Sequence, residues 1–325
     1  MKQINIKETD AGQRFDKFLF RLMPGAGKSF LYKMLRKKNI TLNGKRAEGN
    51  EIVSEGDVVE VFFSDETFEK FCSTTGVDKE KEQESNAVLH RWNLENPKPS
   101  VVYDGEHILI LNKPAGLLSQ KAKPDDVSVV EFVDEFIKQK EPGFKPSVSN
   151  RLDRNTSGLI LAGKSVYGQR ILASMLKDRA FSKLYLRVIK GEVKGGRAES
   201  FLEKNEALNL VKVGDKGEKI ITEYRPLAVT KDGTLLEVHL ITGKSHQIRA
   251  QMAALSHPLA GDAKYGDKDY NLLMKKKYGM SHQALHAYKV VFPADSPAKE
   301  LAGRSFFADL PKELDAFCKE NGIKL

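Results

Sequence analysis

The spacing of apolar segments after Val101 narrows the choice of fold more than any other part of this sequence. Short apolar runs bounded by turn residues predict strands, and apolar residues at helical spacing predict helices. The predicted strands are Ile108–Leu111, Leu159–Ala162, Leu184–Ile189, Ile220–Leu227 and Leu235–Thr242, and the predicted helices are Val129–Gln139, Val166–Asp178, His246–Ala254 and Lys312–Asn321. Strands outnumber helices and do not alternate regularly with them. The sequence therefore predicts an α+β domain around a mainly antiparallel, mixed sheet.

Length and charge add broad constraints. A chain of 325 residues is long for one core, so we expect two domains. The formal net charge of +9 favours a polyanionic partner. No apolar run is long enough for a transmembrane helix, and the N-terminus lacks the apolar core of a signal peptide. The two cysteines, Cys72 and Cys318, form no CxxC motif, which disfavours a disulfide scaffold or a zinc site. We expect a reduced, cytoplasmic protein without membrane contact.

Residues 1–63 are predicted to form a small α/β domain. Apolar residues at helical spacing predict a helix over Arg14–Met23, and a second helix is predicted from Ser29, as its N-cap, to about Lys37. Asn43-Gly44 lies between strand-like residues, which indicates a β-hairpin. Val58–Phe63 is the predicted closing strand.

A basic segment covers the second helix and the hairpin. It contains no Asp or Glu and seven cations, namely Lys28, Lys33, Arg36, Lys37, Lys38, Lys45 and Arg46. A solvated helix face is one explanation, and an RNA-phosphate-binding surface is the favoured one. From about Arg14 to Phe63 the segment resembles the alpha-L RNA-binding motif, which a small-subunit ribosomal protein shares with several RNA-modifying enzymes.

Residues 64–99 are rich in charge and poor in large apolar residues, so we predict a partly disordered linker there. Within it, His90-Arg91-Trp92 is either a docking patch or a packing anchor. Residues 100–325 are then the larger domain.

The loop Asn150–Gly158 places one carboxylate, Asp153, between Arg151 and Arg154. Neighbouring cations favour the ionised form of an aspartate, and a loop beside a rigid strand is a common place for catalytic groups. The alternative is a structural loop in which Asp153 caps or pairs.

Two other patterns are given structural interpretations. Gly158–Ser165 matches the phosphate-loop pattern letter for letter, but its apolar centre favours a buried strand, with Ser165 as the N-cap of the next helix. Gly25–Ser29 is a weaker match of the same kind. His282 and His286 are four residues apart and could share a helix face, but no third ligand is evident, so a core or hydrogen-bonding role is favoured over metal binding.

Several further motifs follow in order. On the strand beginning at Lys183, alternation places Lys183, Tyr185 and Arg187 on one face. The complete set is Lys113-Pro114-Ala115-Gly116, Arg151-Leu152-Asp153 with Thr156-Ser157-Gly158, Lys183 with Tyr185, Thr242-Gly243 with His246-Gln247-Ile248-Arg249, Gly261-Asp262 with Tyr265-Gly266, and Leu285-His286-Ala287. Over about residues 100–295 the chain resembles the RluA-type RNA pseudouridine synthases, and its layout resembles the branch that carries an N-terminal RNA-binding domain.

This resemblance implies the pseudouridine synthase fold and the isomerisation of uridine to pseudouridine in RNA, with large-subunit (23S-type) ribosomal RNA as the expected substrate. It implies that Asp153 is the catalytic aspartate, that Tyr185 stacks on the target base and that Arg249 pairs with the catalytic carboxylate. Arg151 is expected to help displace the target base, and Lys183 to contribute to substrate binding, as are Lys33, Arg36, Lys37 and Lys38 in the small domain.

The reaction breaks the bond from ribose to a base nitrogen and rejoins the base through carbon. Because it is redox-neutral and adds no group, no cofactor, metal or nucleotide is expected. Attack of the carboxylate at the sugar and addition to the uracil ring both remain open. The family pattern has histidine at Asn150 and commonly arginine at Lys244.

Two alternatives are weighed against the enzyme. A catalytically inactive RNA-binding or ribosome-assembly factor has no reason to keep Asp153, Tyr185 and Arg249 together. A nucleotide hydrolase would depend on the poorly fitting Gly158–Ser165 segment. We expect a monomer.

Overall fold

The computed structural model describes residues 1–72, 92, 97–138, 144–205 and 210–325. These residues group into two compact units. The first contains 1–72 with 134–138, 144–146 and 164–168, and the second contains the rest. The predicted domain boundaries, 1–63, 64–99 and 100–325, stay a prediction. None of the helices in the described residues has the length and apolarity needed to cross a membrane.

The first unit packs helices on a small antiparallel sheet. Its elements are β1 (Lys2–Asn5), α1 (Phe15–Leu22), α2 (Lys28–Arg36), β2 (Ile40–Leu42), β3 (Lys45–Arg46), β4 (Val58–Val61) and α3 (Asp65–Cys72), with strand order β1-β4-β2-β3. The predicted hairpin is confirmed: Asn43 and Gly44 join β2 to β3 with φ of 51° and 69°. This positive φ at both turn residues matches the twist of the two strands.

The structure corrects two details of this unit. Ser29 is not the N-cap of α2, because the helix already begins at Lys28 and the extended residue before it is Gly27. The predicted linker begins with a helix, α3, whose Phe68 and Phe71 pack on the core of the first unit. The many charges around these phenylalanines concealed a helix with one apolar face.

The rest of the predicted linker, 73–91 and 93–96, lies outside the described residues, and so do His90 and Arg91. Trp92 is described. It is buried and contacts Phe132 edge-on, with ring centroids 5.8 Å apart. This geometry favours the packing-anchor interpretation over a docking patch.

The second unit is built on a large sheet. Its strands are β5 (Ser100–Asp104), β6 (Ile108–Lys113), β7 (Ser157–Gly163), β8 (Ser182–Ile189), β9 (Gly196–Asn205), β10 (Leu210–Gly214), β11 (Glu218–Thr230), β12 (Gly233–Leu240), β13 (Leu285–Val291) and β14 (Ser305–Phe307). The order is β10-β9-β11-β12-β8-β13-β7-β6-β5, and β14 pairs with β13. Only the β7–β13 pair is parallel among the described strands, so the predicted mixed, mainly antiparallel sheet is confirmed.

Helices α4 (Val129–Phe136), α5 (Val166–Lys177), α6 (Gln247–Ala254), α7 (Lys268–Tyr278) and α8 (Lys312–Glu320) complete the fold. The predicted helices agree with four of these to within a few residues at each end. Helix α7 was not predicted, because Lys268–Tyr278 carries many charges and two exposed leucines, Leu272 and Leu273.

Strand β7 lies inside the sheet, between β13 and β6, with all seven residues buried. Gly158 has φ of +112°, and a Cβ there would come 2.2 Å from the carbonyl oxygen of Ala287 on β13. Only glycine allows this close pairing of strands. Ser165 Oγ accepts the N–H of Gly168 at 3.0 Å, so its predicted capping role is confirmed. The phosphate-loop match is therefore a buried strand followed by a helix cap.

Candidate active site

A cleft of about 990 Å³ opens in the second unit, beside β8 and the segments that precede β7 and β13. Its lining is strongly basic, and among the described residues that line it Asp153 is the single carboxylate. The lining cations are Arg151, Arg154, Lys177, Arg179, Lys183, Lys244, Arg249 and Lys264. Such a surface raises the local concentration of a polyanion such as RNA.

Asp153 is held by a residue distant in sequence. Arg249 Nη1 donates to Asp153 Oδ2 at 2.9 Å, and His246 Nε2 lies 3.9 Å from the same oxygen. The side chain of Asp153 is 30% exposed, so the carboxylate is fixed but still open to the cleft. The pairing of Asp153 with Arg249 inferred from the family resemblance is thus present.

The arginines adjacent to Asp153 in sequence do not hold it, contrary to expectation. Arg154 directs its guanidinium to Asp126, at 3.9 Å, because neighbouring side chains project in different directions from the loop. Arg151 is exposed and lines the cleft. Within the described part of the chain, neither forms an ion pair with Asp153. Arg151 therefore remains available to a ligand in the cleft, whereas Arg154 lies near Asp126.

Arg249 is itself fixed by a second carboxylate. Its Nε and Nη2 donate to Asp262 at 2.7 Å and 2.8 Å, and Asp262 also accepts the backbone N–H groups of Lys264 and Tyr265. Burial alone would raise the pKa of Asp262, but Arg249 and these amides hold it below its usual value. Burial alone would lower the pKa of Arg249, but Asp262 and Asp153 raise it. Both groups stay charged, so Arg249 presents a rigid donor to Asp153.

The backbone around Asp153 is fixed by Lys113, the last residue of β6, and by Ser119 in the segment that follows. Lys113 is fully buried, and its Nζ donates to the carbonyls of Pro114, Leu117 and Arg154 at 2.8–2.9 Å. Burial lowers the pKa of Lys113 to about 7, although Asp153 acts in the opposite direction. Ser119 Oγ bonds both backbone groups of Leu152. The residues on either side of Asp153 are therefore anchored.

The departures from the family pattern have structural explanations. Asn150 Nδ2 donates to the carbonyl of Leu159, and Asn150 Oδ1 accepts the N–H of Leu161 at 2.8 Å. The amide side chain thus ties the start of the loop to β7. Lys244 pairs with Glu218 at the edge of the cleft. Neither substitution alters the contacts of Asp153.

Two of the three predicted face-sharing residues of β8 reach the cleft. Tyr185 is 6% exposed and lines it, and burial together with Asp153 raises the pKa of its hydroxyl. Lys183 also lines the cleft, and burial and Arg179 lower its pKa. Arg187 is fully buried and does not line the cleft. Tyr185 and Asp153 thus line the same cleft, and the stacking of the target base on Tyr185 stays a prediction.

His282 and His286 do not share a helix, contrary to the geometry first considered. His286 lies on β13 with its Nδ1 2.8 Å from Ser157 Oγ, whereas His282 precedes the strand and lines the cleft. His286 has the hydrogen-bonding role that was favoured. Among the described residues, no three His, Cys, Asp or Glu side chains cluster as a metal site would require.

In the first unit, the predicted phosphate-binding residues are all exposed. They lie at the C-terminal end of α2 and directly after it, namely Lys33, Arg36, Lys37 and Lys38. A continuous exposed basic surface of this kind suits contacts with a phosphate backbone.

Sequence reasoning assigned no role to Lys113, His246, Asp262 and Tyr265. All four lie within the motifs that carried the resemblance, and their place in those motifs is the signal that could have marked them as site residues. Their contacts could not be read from one sequence because they join segments far apart along the chain.

Comparison with known proteins identifies the family. Residues 107–254 match the family model described as RNA pseudouridylate synthase, and residues 13–59 match the S4 domain. The chain belongs to the RNA pseudouridine synthases. The resemblance drawn from the motifs is thereby confirmed, as are the enzyme class and the N-terminal RNA-binding domain.

Relatives of this pseudouridine synthase span nearly its whole length. It is 28% identical over 302 residues to ribosomal large subunit pseudouridine synthase C of Vibrio vulnificus. The aligned residues cover 92% of this chain and 91% of the relative. The protein of the same name from Escherichia coli K12 is also 28% identical, over 90% and 88% of the two chains. The structure of human RNA pseudouridylate synthase domain containing 4 has the same fold, with a TM-score of 0.56, 17% identity, and coverage of 75% of this chain and 99% of that one.

Proposed function

We propose that this synthase converts specific uridines of large-subunit ribosomal RNA to pseudouridine, with Asp153 as the essential catalytic group. The observation that carries the proposal is the single carboxylate of the basic cleft, aimed by the buried pair of Arg249 and Asp262. The substrate class is supported by the names of relatives that match 90–92% of this chain.

The chemistry fits this arrangement of groups. A carboxylate can attack the sugar or add to the uracil ring, and the hydrogen bond from Arg249 fixes its direction. The target base must leave its stack, at a cost of a few kcal/mol. Tyr185 supplies a ring on which the base can stack, and Arg151 is an exposed cation able to take the place of the displaced base. Because the isomerisation is redox-neutral, we propose that it needs no cofactor or nucleotide. We further expect a cytoplasmic monomer.

Pseudouridine mapping of RNA from cells that lack the gene tests the proposal. We expect discrete sites in large-subunit ribosomal RNA to be lost, and to return with wild-type protein but not with Asp153→Ala. Asp125→Ala is the matched control, because Asp125 is exposed and lies outside the cleft lining.

The outcomes separate the parts of the proposal. Restoration by Asp153→Ala would reject the catalytic role of this residue. Loss of sites only in another RNA class would reject the ribosomal substrate and keep the chemistry. Persistence of every site in the deletion strain would reject the proposed function altogether.

A further inference from the structure

The two oxygens of Asp153 lie in unequal environments. Both nearby nitrogens, Arg249 Nη1 at 2.9 Å and His246 Nε2 at 3.9 Å, face Oδ2. Oδ1 accepts no hydrogen bond from any described residue. Arg249 therefore anchors Oδ2, with His246 close to the same oxygen, and Oδ1 is free of hydrogen bonds from the described residues.

His246 is placed by a strained and heavily bonded turn. Its φ of 55° is left-handed, a conformation that costs energy for a residue with a side chain and is often kept at functional positions. The next residue, Gln247, bonds Thr242 and Thr222 through its side-chain amide. Only 10% of the His246 side chain is exposed. The ring thus has little freedom to turn away from Asp153.

Tyr265 determines where His246 carries its proton. The Tyr265 hydroxyl accepts the backbone N–H of Val211 at 3.0 Å and lies 2.9 Å from His246 Nδ1. Among the described residues, His246 Nδ1 is the one acceptor within hydrogen-bond distance of this hydroxyl, so the hydroxyl proton is assigned to Nδ1, which is then unprotonated. The proton of the neutral ring is left on Nε2, the nitrogen that faces Asp153.

Tyr265 also supports the other holder of Asp153. The Arg249 guanidinium lies over its ring, 5.3 Å from the centroid, and the His246 ring meets it edge-on at 5.6 Å. One tyrosine therefore positions both groups that face Oδ2.

The surroundings of His246 disfavour its charged form. Burial lowers its pKa, and so do the cations Arg249 and Lys264, while Asp153 and Asp262 oppose them. A protonated ring would also deprive the Tyr265 hydroxyl of its acceptor. The neutral form with a proton on Nε2 is thus the form that faces the carboxylate.

We propose that His246, set in its Nε2–H form by Tyr265, is a positioning residue that closes on Asp153 Oδ2 when a uridine fills the cleft and leaves Oδ1 as the reacting oxygen. His246 Nε2 lies 3.9 Å from Oδ2, and catalytic contacts of this kind tighten on substrate binding. This inference rests on the proposed role of Asp153.

The tautomer can be measured without substrate. In the ¹⁵N-labelled full-length protein, ring nitrogen shifts of His246, assigned with His246→Gln, should report a bare Nδ1 and a protonated Nε2 at pH 7.5. Tyr265→Phe should give a mixture of both tautomers. A proton on Nδ1 in the wild type, or an unchanged tautomer in Tyr265→Phe, would overturn the inference while leaving the proposed function untouched.

Kinetics on the ribosomal RNA substrate test the consequence. Loss of one hydrogen bond to a charged group predicts that His246→Ala lowers kcat by about ten- to a hundred-fold, with little change in KM. His246→Gln keeps an N–H donor and should recover most of the loss. His257→Gln is the control, because His257 does not line the cleft. A wild-type kcat in His246→Ala, or no rescue by glutamine in a folded variant, would reject the positioning role.

Discussion

Asp262 is outside the cleft lining, and replacing it should nonetheless impair both stability and catalysis. It is fully buried, and it accepts four hydrogen bonds, two from Arg249 and two from backbone amides. Asp262→Asn keeps the shape but removes the charge that neutralises Arg249. Breaking a buried ion pair from one side costs about 3–5 kcal/mol. We expect the lower end of this range, because Arg249 still faces Asp153.

In a domain of this size, each kcal/mol lowers Tm by about 2–4 °C, so Asp262→Asn should lower Tm by about 6–12 °C. Misplacing Arg249 and hence Asp153 by an ångström should reduce kcat by up to about a hundred-fold.

Asp153→Asn should instead affect catalysis far more than stability. It should abolish turnover but change stability by about 1 kcal/mol or less, because its side chain is 30% exposed and Arg249 keeps Asp262.

Thermal unfolding and single-turnover kinetics on both variants check this contrast. Asp269→Asn is the matched control, since it makes the same change on an exposed position of α7. Equal Tm values for Asp262→Asn and the control would refute the reasoning, because they would mean that the buried pair does not hold Arg249.

Three other predictions concern different parts of the molecule. Burial lowers the pKa of His286 to about 4, below its usual value near 6.5, so the unfolded chain binds the proton first. Stability should therefore fall by about 3 kcal/mol as pH drops from 6.5 to 4, and denaturant unfolding should find a smaller fall in His286→Gln. Gly158→Ala should unfold the protein or cost more than about 3 kcal/mol, because its Cβ would overlap the β13 backbone; a wild-type Tm would contradict this. Neutralising the four cations at and directly after the C-terminal end of α2, Lys33, Arg36, Lys37 and Lys38, should weaken RNA binding and flatten its salt dependence. Titration at several salt concentrations measures this, and an unchanged slope would mean that these cations are merely solvated.

The sequence predicted those elements whose signal lies within a short stretch of neighbouring residues. The apolar run of β7, the Asn-Gly hairpin and the Ser165 cap were predictable because each depends on residues close along the chain. Helix α3 was missed because its few apolar residues lie among many charges.

The candidate site was predictable only through ordered motifs. Local reasoning assigned the support of Asp153 to the adjacent arginines, and the structure instead uses Arg249, 96 residues away. No periodicity within one segment encodes such a contact. The same holds for Lys113 and Tyr265, whose partners lie on other segments.

The contacts of the catalytic loop and of β7 with later parts of the chain determine when each can form during synthesis. Every residue of the compact S4 match precedes residue 60, whereas Arg249 emerges 96 residues after Asp153. At about 5–20 residues per second, Asp153 waits roughly 5–20 s for its partner. Ser157 waits longer still for His286, 129 residues on. In a nascent chain, all residues that match the S4 domain are therefore synthesised well before the catalytic loop meets its partners.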